Sequence, residues 1–366
     1  RTLGEGRKEL AQEYFSMLIY TVLVVGGILS VVSVVLTEPI ARLAGASDLL
    51  IDDCVAYGRI MLAGSVVFML QVLFQSFFVV AERPQLGLFF SVAAGVTNMG
   101  LDYVFIALMD LGIAGAALAT VAGYCVGGVI PLIYFLTGER SGLRLGKTKL
   151  YGRQLLQACA NGSSELMSNI SSSIVSILYN LQLMRLIGET GVAAYSVMMY
   201  VDFVFIAAFL GFSVGSAPIV SFHYGADNRS ELKSVFRKSA VIIGVTAVVM
   251  VTASELLSHP LSSAFVGYDP ELLELTVHGF RLFALNYLFC GVNIYASAFF
   301  TALCNGLISA LISFARTLLL RGGMVLLLPL LWDLDGIWWA VVAAEGLAVL
   351  VSLAFLISQR KRYHYA

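Results

Sequence analysis

Apolar residues in this chain come in long runs, separated by short polar breaks. A helix needs roughly 20 mostly apolar residues to cross a bilayer. Ten runs meet that length: 15–36, 56–80, 86–108, 113–137, 157–184, 191–220, 237–257, 277–303, 307–331 and 337–358. The breaks carry turn chemistry, as in Glu82-Arg83-Pro84, Asp110-Leu111-Gly112, Cys304-Asn305-Gly306 and Asp333-Leu334-Asp335-Gly336. Strands of a membrane barrel would alternate apolar and polar positions over only about 10 residues, and these runs do not alternate. The pattern predicts an all-α, polytopic integral membrane protein with ten spans. Several runs exceed the bilayer thickness, which implies tilt or kinks, and Pro218 and Pro329 stand near span ends.

Charge tests the count. With ten spans, Lys and Arg should gather in alternate loops. Sixteen of the 22 basic residues fall on one side, including Arg7, Lys8, Arg83, Arg140, Arg144, Lys147, Lys149, Arg153, Arg229, Lys233, Arg237, Lys238 and 360–362. The other side holds Arg42 and Arg185 and is acidic, with Glu38, Asp48, Asp52, Asp53, Asp110, Glu189, Asp269, Asp333 and Asp335 among its residues. The bias places both termini in the cytoplasm and the protein, multi-pass, in the plasma (inner) membrane.

Composition then narrows the function classes. Of 366 residues, 59% are hydrophobic and 12% charged, against about 25% charged in a soluble domain. A water-soluble enzyme and a disordered tail are excluded. A net charge of −1 gives no basis for nucleic-acid binding. The five cysteines (Cys54, Cys125, Cys159, Cys290, Cys304) form no C-x-x-C pair, and the four histidines have no ligand spacing. No P-loop, H-E-x-x-H or G-x-S-x-G is present. Catalysis, a metal and a cofactor are therefore not expected. Without a nucleotide site, an ion gradient is the remaining energy source.

The chain also repeats. Arg7 matches Arg229 and Arg59 matches Arg281 at an offset of 222; Pro39 matches Pro260 at 221; Gly112-Ile113 matches Gly336-Ile337 at 224. Two homologous halves follow. The second unit is preceded by two further spans, the first by none, so the pattern predicts twelve spans in the intact protein with the first two missing here. Six crossings would separate the repeats, which makes them parallel.

These residues resemble the multidrug and toxic compound extrusion (MATE) transporters. The resemblance rests on Leu3-Gly4-Glu5-Gly6, Ala81-Glu82-Arg83-Pro84, Asn98-Met99-Gly100-Leu101-Asp102, 112–117, 211–218 and Tyr224-Gly225-Ala226. It implies two pseudo-symmetric six-helix bundles and cation-coupled export of amphipathic, often cationic compounds. The expected organisation is an N-terminal lobe at 1–137, a cytoplasmic basic linker at 138–156, a C-terminal lobe of six spans at 157–358 and a cytoplasmic tail at 359–366.

Ionisable groups inside spans are costly and point to function or pairing. Asp102 lies inside its span with Asn98 four residues earlier on the same face. The amide is expected to donate to the carboxylate. In the resembling family an Asn and an Asp at this spacing belong to a proton- or cation-responsive site, which makes Asp102 and Asn98 the ion-coupling candidates. Glu165 sits in a stripe of Asn161, Asn169, Ser172, Ser176 and Asn180 at steps of three and four. Such a face should line water, substrate or another helix. Asp202, with Met198 and Tyr200, offers a carboxylate beside soft and aromatic side chains suited to cationic amphipaths. Arg316 and Arg321 are expected to pair with an acid across a bundle, with Glu345 as one partner.

The reading is an antiporter that takes up H⁺ or Na⁺, expels organic cations or amphipathic drugs by alternating access, and works as a monomer in the lipid bilayer. A lipid-linked oligosaccharide flippase would want a cationic cavity, against which the acids argue. A non-transport membrane protein would explain neither the repeat nor the intramembrane carboxylates.

Overall fold

The structure is a computed structural model and describes residues 1–43, 50–137 and 143–365. Asp48 and Arg140, used in the charge count, lie outside the described residues, as do Ala366 and the first part of the expected linker. The described residues form α1 (Lys8–Val35), α2 (Thr37–Leu43), α3 (Ile51–Ala63), α4 (Ser65–Val80), α5 (Pro84–Asp102), α6 (Gly112–Thr137) and α7 (Gly152–Ile187). Then follow α8 (Glu189–Gly225), α9 (Arg229–Val266), α10 (Pro270–Ala284), α11 (Tyr287–Ala302), α12 (Gly306–Phe314), α13 (Gly322–Leu327) and α14 (Pro329–Tyr363). Two π-helical stretches interrupt the α geometry, Tyr103–Leu108 after α5 and Ala315–Arg321 between α12 and α13.

Eight helices or helix runs are long and apolar enough to cross a membrane, and the bent pairs α3/α4 (46°) and α10/α11 (51°) bring the count to ten. That matches the ten runs read from hydropathy. The four breaks are turns for a stated reason. Each contains a non-glycine residue with positive φ: Glu82 (58°), Asp110 (53°), Cys304 (60°) and Asp333 (47°), the last kinking α14 where two helices meet. A left-handed residue cannot continue a right-handed helix. Helix starts are marked as well. Asn228, Asp269 and Asn305 accept backbone N–H groups of the first turn, and Pro84 and Pro270 occupy opening positions.

The turns also register the repeat. Gly6 and Asp227, Glu82 and Cys304, and Asp110 and Asp333 are left-handed pairs at offsets of 221, 222 and 223. The halves differ at the repeated proline. α1 ends before Pro39 and a short α2 follows, whereas α9 runs straight through Pro260.

The chain divides into two compact units, one of Thr2 and Gly6–Leu155, the other of Arg1, Leu3–Glu5 and Leu156–Ala366. The first has an aromatic core of Phe15, Phe74, Phe78 and Phe135. Its helices approach through glycine: a Cβ at Gly123 of α6 would stand 2.9 Å from the Ala94 carbonyl oxygen of α5, and one at Gly128 would stand 2.6 Å from that of Val67 on α4. Small residues at such contacts are how membrane helices pack closely. The second unit has a larger core around Tyr287, Phe280, Phe299 and Trp338.

Two expected boundaries take a different form. Residues 143–151, read as linker, lie along α1: Thr148 Oγ1 donates to the Glu13 carbonyl (2.8 Å) and Gly146 N–H to Ser16 Oγ (3.0 Å). The Tyr151 hydroxyl donates to the Glu13 carboxylate, a bond that holds its phenol protonated above the usual tyrosine range. The remainder of the expected linker is the start of α7. The expected tail is mostly the end of α14, and Tyr365 beyond it is buried, donating to the Leu356 carbonyl at 2.6 Å.

Candidate functional site

In the first unit the chemistry sits where α5 gives way to its π-helical stretch. Asp102 is the last residue of α5, half-buried. Among the described residues no hydrogen-bond or ion-pair partner is seen for its carboxylate. The expected donation from Asn98 is not made. Asn98 Nδ2 instead points to Thr120 Oγ1 on α6, at a long 3.4 Å, and Thr120 passes its own proton to the Ala116 carbonyl (2.9 Å). Gly123 explains the choice. The bare α6 backbone at that point lets α5 approach so closely that a Cβ there would come 3.1 Å from Asn98 Cβ. Asn98 is thereby drawn to α6. The π-helix that begins at Tyr103 shifts the register directly after Asp102. Such bulges recur at functional sites.

In the second unit charge is enclosed. Glu345 of α14 is 1% exposed. Arg316 Nε donates to both its oxygens at 2.8 Å, and Arg321 Nη2 to Oε1 at 2.9 Å. Asn293 Nδ2 of α11 adds a bond to Oε2 (2.8 Å), and Ser352 Oγ donates to Asn293 Oδ1 (2.8 Å). The pairing expected from the sequence is present. How two arginines reach one carboxylate was not legible. Residues five apart stand about 140° apart on an α-helix. In the π-helical Ala315–Arg321, bonded i to i+5, Arg316 and Arg321 come to one face. Isolated buried charge is expensive, and only pairing with full hydrogen bonding offsets it. This acid has both.

Asp202 of α8 is 9% exposed and accepts a 2.8 Å hydrogen bond from the Tyr287 hydroxyl. Met198, one turn earlier, is fully buried in the same core. Tyr200 does not join them. It is 69% exposed and stacks on Phe265 at 6.3 Å between centroids. Positions 198 and 202 share a helix face and 200 lies on the opposite one, so the expected trio splits.

The α7 stripe splits as well. Asn161 Nδ2 donates to the Thr301 carbonyl (2.9 Å) of α11, a packing bond. Glu165, Asn169 and Asn180 are exposed, and Asn169 Nδ2 donates to the Glu165 carbonyl (2.8 Å). α7 buries Ser164, Ser171, Val175, Tyr179 and Leu183 instead. Glu165 and Asp202 are thus not brought together on one surface. Tyr287, Asn293 and Ser352 were missed by sequence reasoning. The signal available was a polar residue inside an apolar run. Among the described residues no group of three His, Cys, Asp or Glu could hold a metal ion.

Eight to ten helices of membrane-crossing length, a repeat and polar groups held inside them define an α-helical multi-pass membrane protein. A family model described as MatE matches residues 1–104 and 166–324. The chain belongs to that family. Multidrug export protein MepA of Staphylococcus saprophyticus is 23% identical over 98% of this chain and 79% of its own length. MepA of Staphylococcus aureus is 21% identical over the same shares. Among solved structures, a MOP superfamily transporter from Pyrococcus furiosus overlays with a TM-score of 0.93 at 18% identity, covering 99% of this chain and 81% of that one. A Vibrio cholerae MATE transporter overlays at 0.88 with 19% identity, over 100% and 83%. The fold expected from the sequence, MATE-like and all-helical, is the fold found.

Proposed function

We propose that this protein exports amphipathic small molecules, organic cations among them, and is driven by uptake of H⁺ or Na⁺ through Asp102. Export is supported by the family and by relatives named as multidrug export proteins. The coupling role is supported by one observation: a half-buried carboxylate inside a span, without a bonded partner among the described residues, beside a π-helical register shift. A saturated carboxylate such as Glu345 has no position left for an ion. Asp102 has. Binding a cation there removes a charge from the span and favours whichever arrangement of α5 and α6 buries the neutral form better. Export then follows if the substrate favours the opposite arrangement, since a ligand shifts an equilibrium only by its differential affinity. The basic-residue bias supports placing both ends of the chain in the cytoplasm.

The test is export from proteoliposomes under pH and Na⁺ gradients imposed separately. Uphill movement of a cationic dye under one of them, and none without a gradient, is the expected result. Equal rates with and without any gradient would remove the coupling.

A further inference from the structure

We propose that the N-terminal third of α9 is a binding site for an anionic phospholipid, with the headgroup phosphate on Lys233, Arg237 and Lys238. Ser230, Lys233, Ser234, Arg237, Lys238, Val241 and Ile242 line one surface groove of about 710 Å³. Ser230, Lys233, Ser234, Arg237 and Val241 follow at steps of three and four along one helix face, with Lys238 and Ile242 at its edge. The opposite face of α9 carries Leu232, Ser239, Ile243 and Ala247 into the core of its own unit, so the groove side faces outward.

Among the described residues none of Lys233, Arg237 and Lys238 makes an ion pair. Nearby Asp227 is taken by Arg229 at 3.3 Å. Glu231 stands about 200° around the helix from Lys233 and two turns, about 10 Å, from Lys238, and it does not line the groove. Two serine hydroxyls, Ser230 and Ser234, lie between the charges as further donors. This is the donor set for phosphate: point charges plus short hydroxyls, without a carboxylate among them.

What continues the face identifies the ligand as lipid. Below Lys238 it turns wholly apolar, with Val241 (60% exposed), Val245 (59%), Val248 (60%) and Val249 (53%). Gly244 between them meets no neighbouring atom where a Cβ would stand. The result is a smooth β-branched track. From Val241 to Val249 it runs about 12 Å at 1.5 Å per residue, most of one leaflet's hydrocarbon, half of about 30 Å. Cations at the top and an apolar track beneath match an anionic phospholipid and not a free anion. Three charges within two turns exceed what one phosphate needs. A two-phosphate lipid should therefore bind best, a one-phosphate anionic lipid next and a zwitterionic lipid least.

The probe is purified protein in detergent, titrated with phosphatidylglycerol or phosphatidylcholine, with lipid adducts counted by native mass spectrometry. Each cation near an anionic headgroup contributes about a fivefold preference. Lys233→Gln with Arg237→Gln and Lys238→Gln should lower the phosphatidylglycerol preference roughly a hundredfold. All three side chains are exposed, so thermal unfolding should be unchanged and will report if it is not. Arg360→Gln with Lys361→Gln and Arg362→Gln at the end of α14 serves as the charge-matched control and should retain the preference. The proposal fails if the α9 variant keeps the wild-type preference, or if the control loses as much. It also fails if excess inorganic phosphate strips the lipid, which would make this a free-phosphate site.

Discussion

The two units treat an intramembrane carboxylate in opposite ways. Glu345 in the second is enclosed by two arginines, an asparagine and, behind that, a serine. Asp102 in the first is half-buried, and its nearest expected donor, Asn98, has turned to Thr120. Both stand beside π-helical stretches, but the stretches do different things. The one at Ala315–Arg321 gathers two positive charges onto a single acid. The one at Tyr103–Leu108 brings no charge to Asp102. Repeated halves of one chain have thus diverged into a closed ion cluster and an open carboxylate. A saturated acid is part of the architecture, whereas an under-paired one keeps a position for an exchangeable ion.

The comparison breaks most visibly at Glu345. Glu345→Leu should strand Arg316 and Arg321 as buried, uncompensated charge and cost about 3–5 kcal/mol, read as a fall in the thermal unfolding midpoint of detergent-solubilised protein. Arg316→Met with Arg321→Met and Glu345→Leu should recover most of that loss, because an apolar replacement of a whole buried ion cluster is often close to neutral. If the triple variant is as unstable as the single, the cluster does more than pair its own charges.

A smaller effect is expected one layer away. Tyr287→Phe leaves Asp202 buried without its donor and should cost about 1–3 kcal/mol. The same unfolding measurement checks it. In the first unit, Asn98→Ala removes only the long bond to Thr120, so less than about 1 kcal/mol should be lost. Transport by Asn98→Ala should stay close to wild type, since the amide does not hold Asp102. A collapse of gradient-driven export in that variant would restore the direct Asn98–Asp102 contact.

Much of this was legible in the sequence, and what was not has a geometric cause. Span positions, the breaks at Glu82, Asp110, Cys304 and Asp333, and the repeat all follow from local chemistry: hydrophobic length and turn residues. The partnership of Arg316 and Arg321 with Glu345 followed from the cost of unpaired charge. Two things failed. Four-residue spacing put Asn98 and Asp102 on one face, but which neighbour Asn98 bonds depended on how closely Gly123 lets α6 approach. Likewise Met198, Tyr200 and Asp202 were grouped by proximity along the chain, although alternate positions on a helix point apart. Close approach between helices and π-helical register are tertiary facts that a 3.6-residue period does not carry.

The sharpest difference between the units lies in stability against transport, and one variant measures it. Asp102→Asn removes a half-buried charge that has no bonded partner among the described residues and is costly inside a span, so the unfolding midpoint should hold or rise. In proteoliposomes with an imposed ion gradient, the same variant should lose uphill export while downhill substrate exchange persists. Wild-type uphill export by Asp102→Asn would contradict the account and move the coupling away from the first unit's open carboxylate.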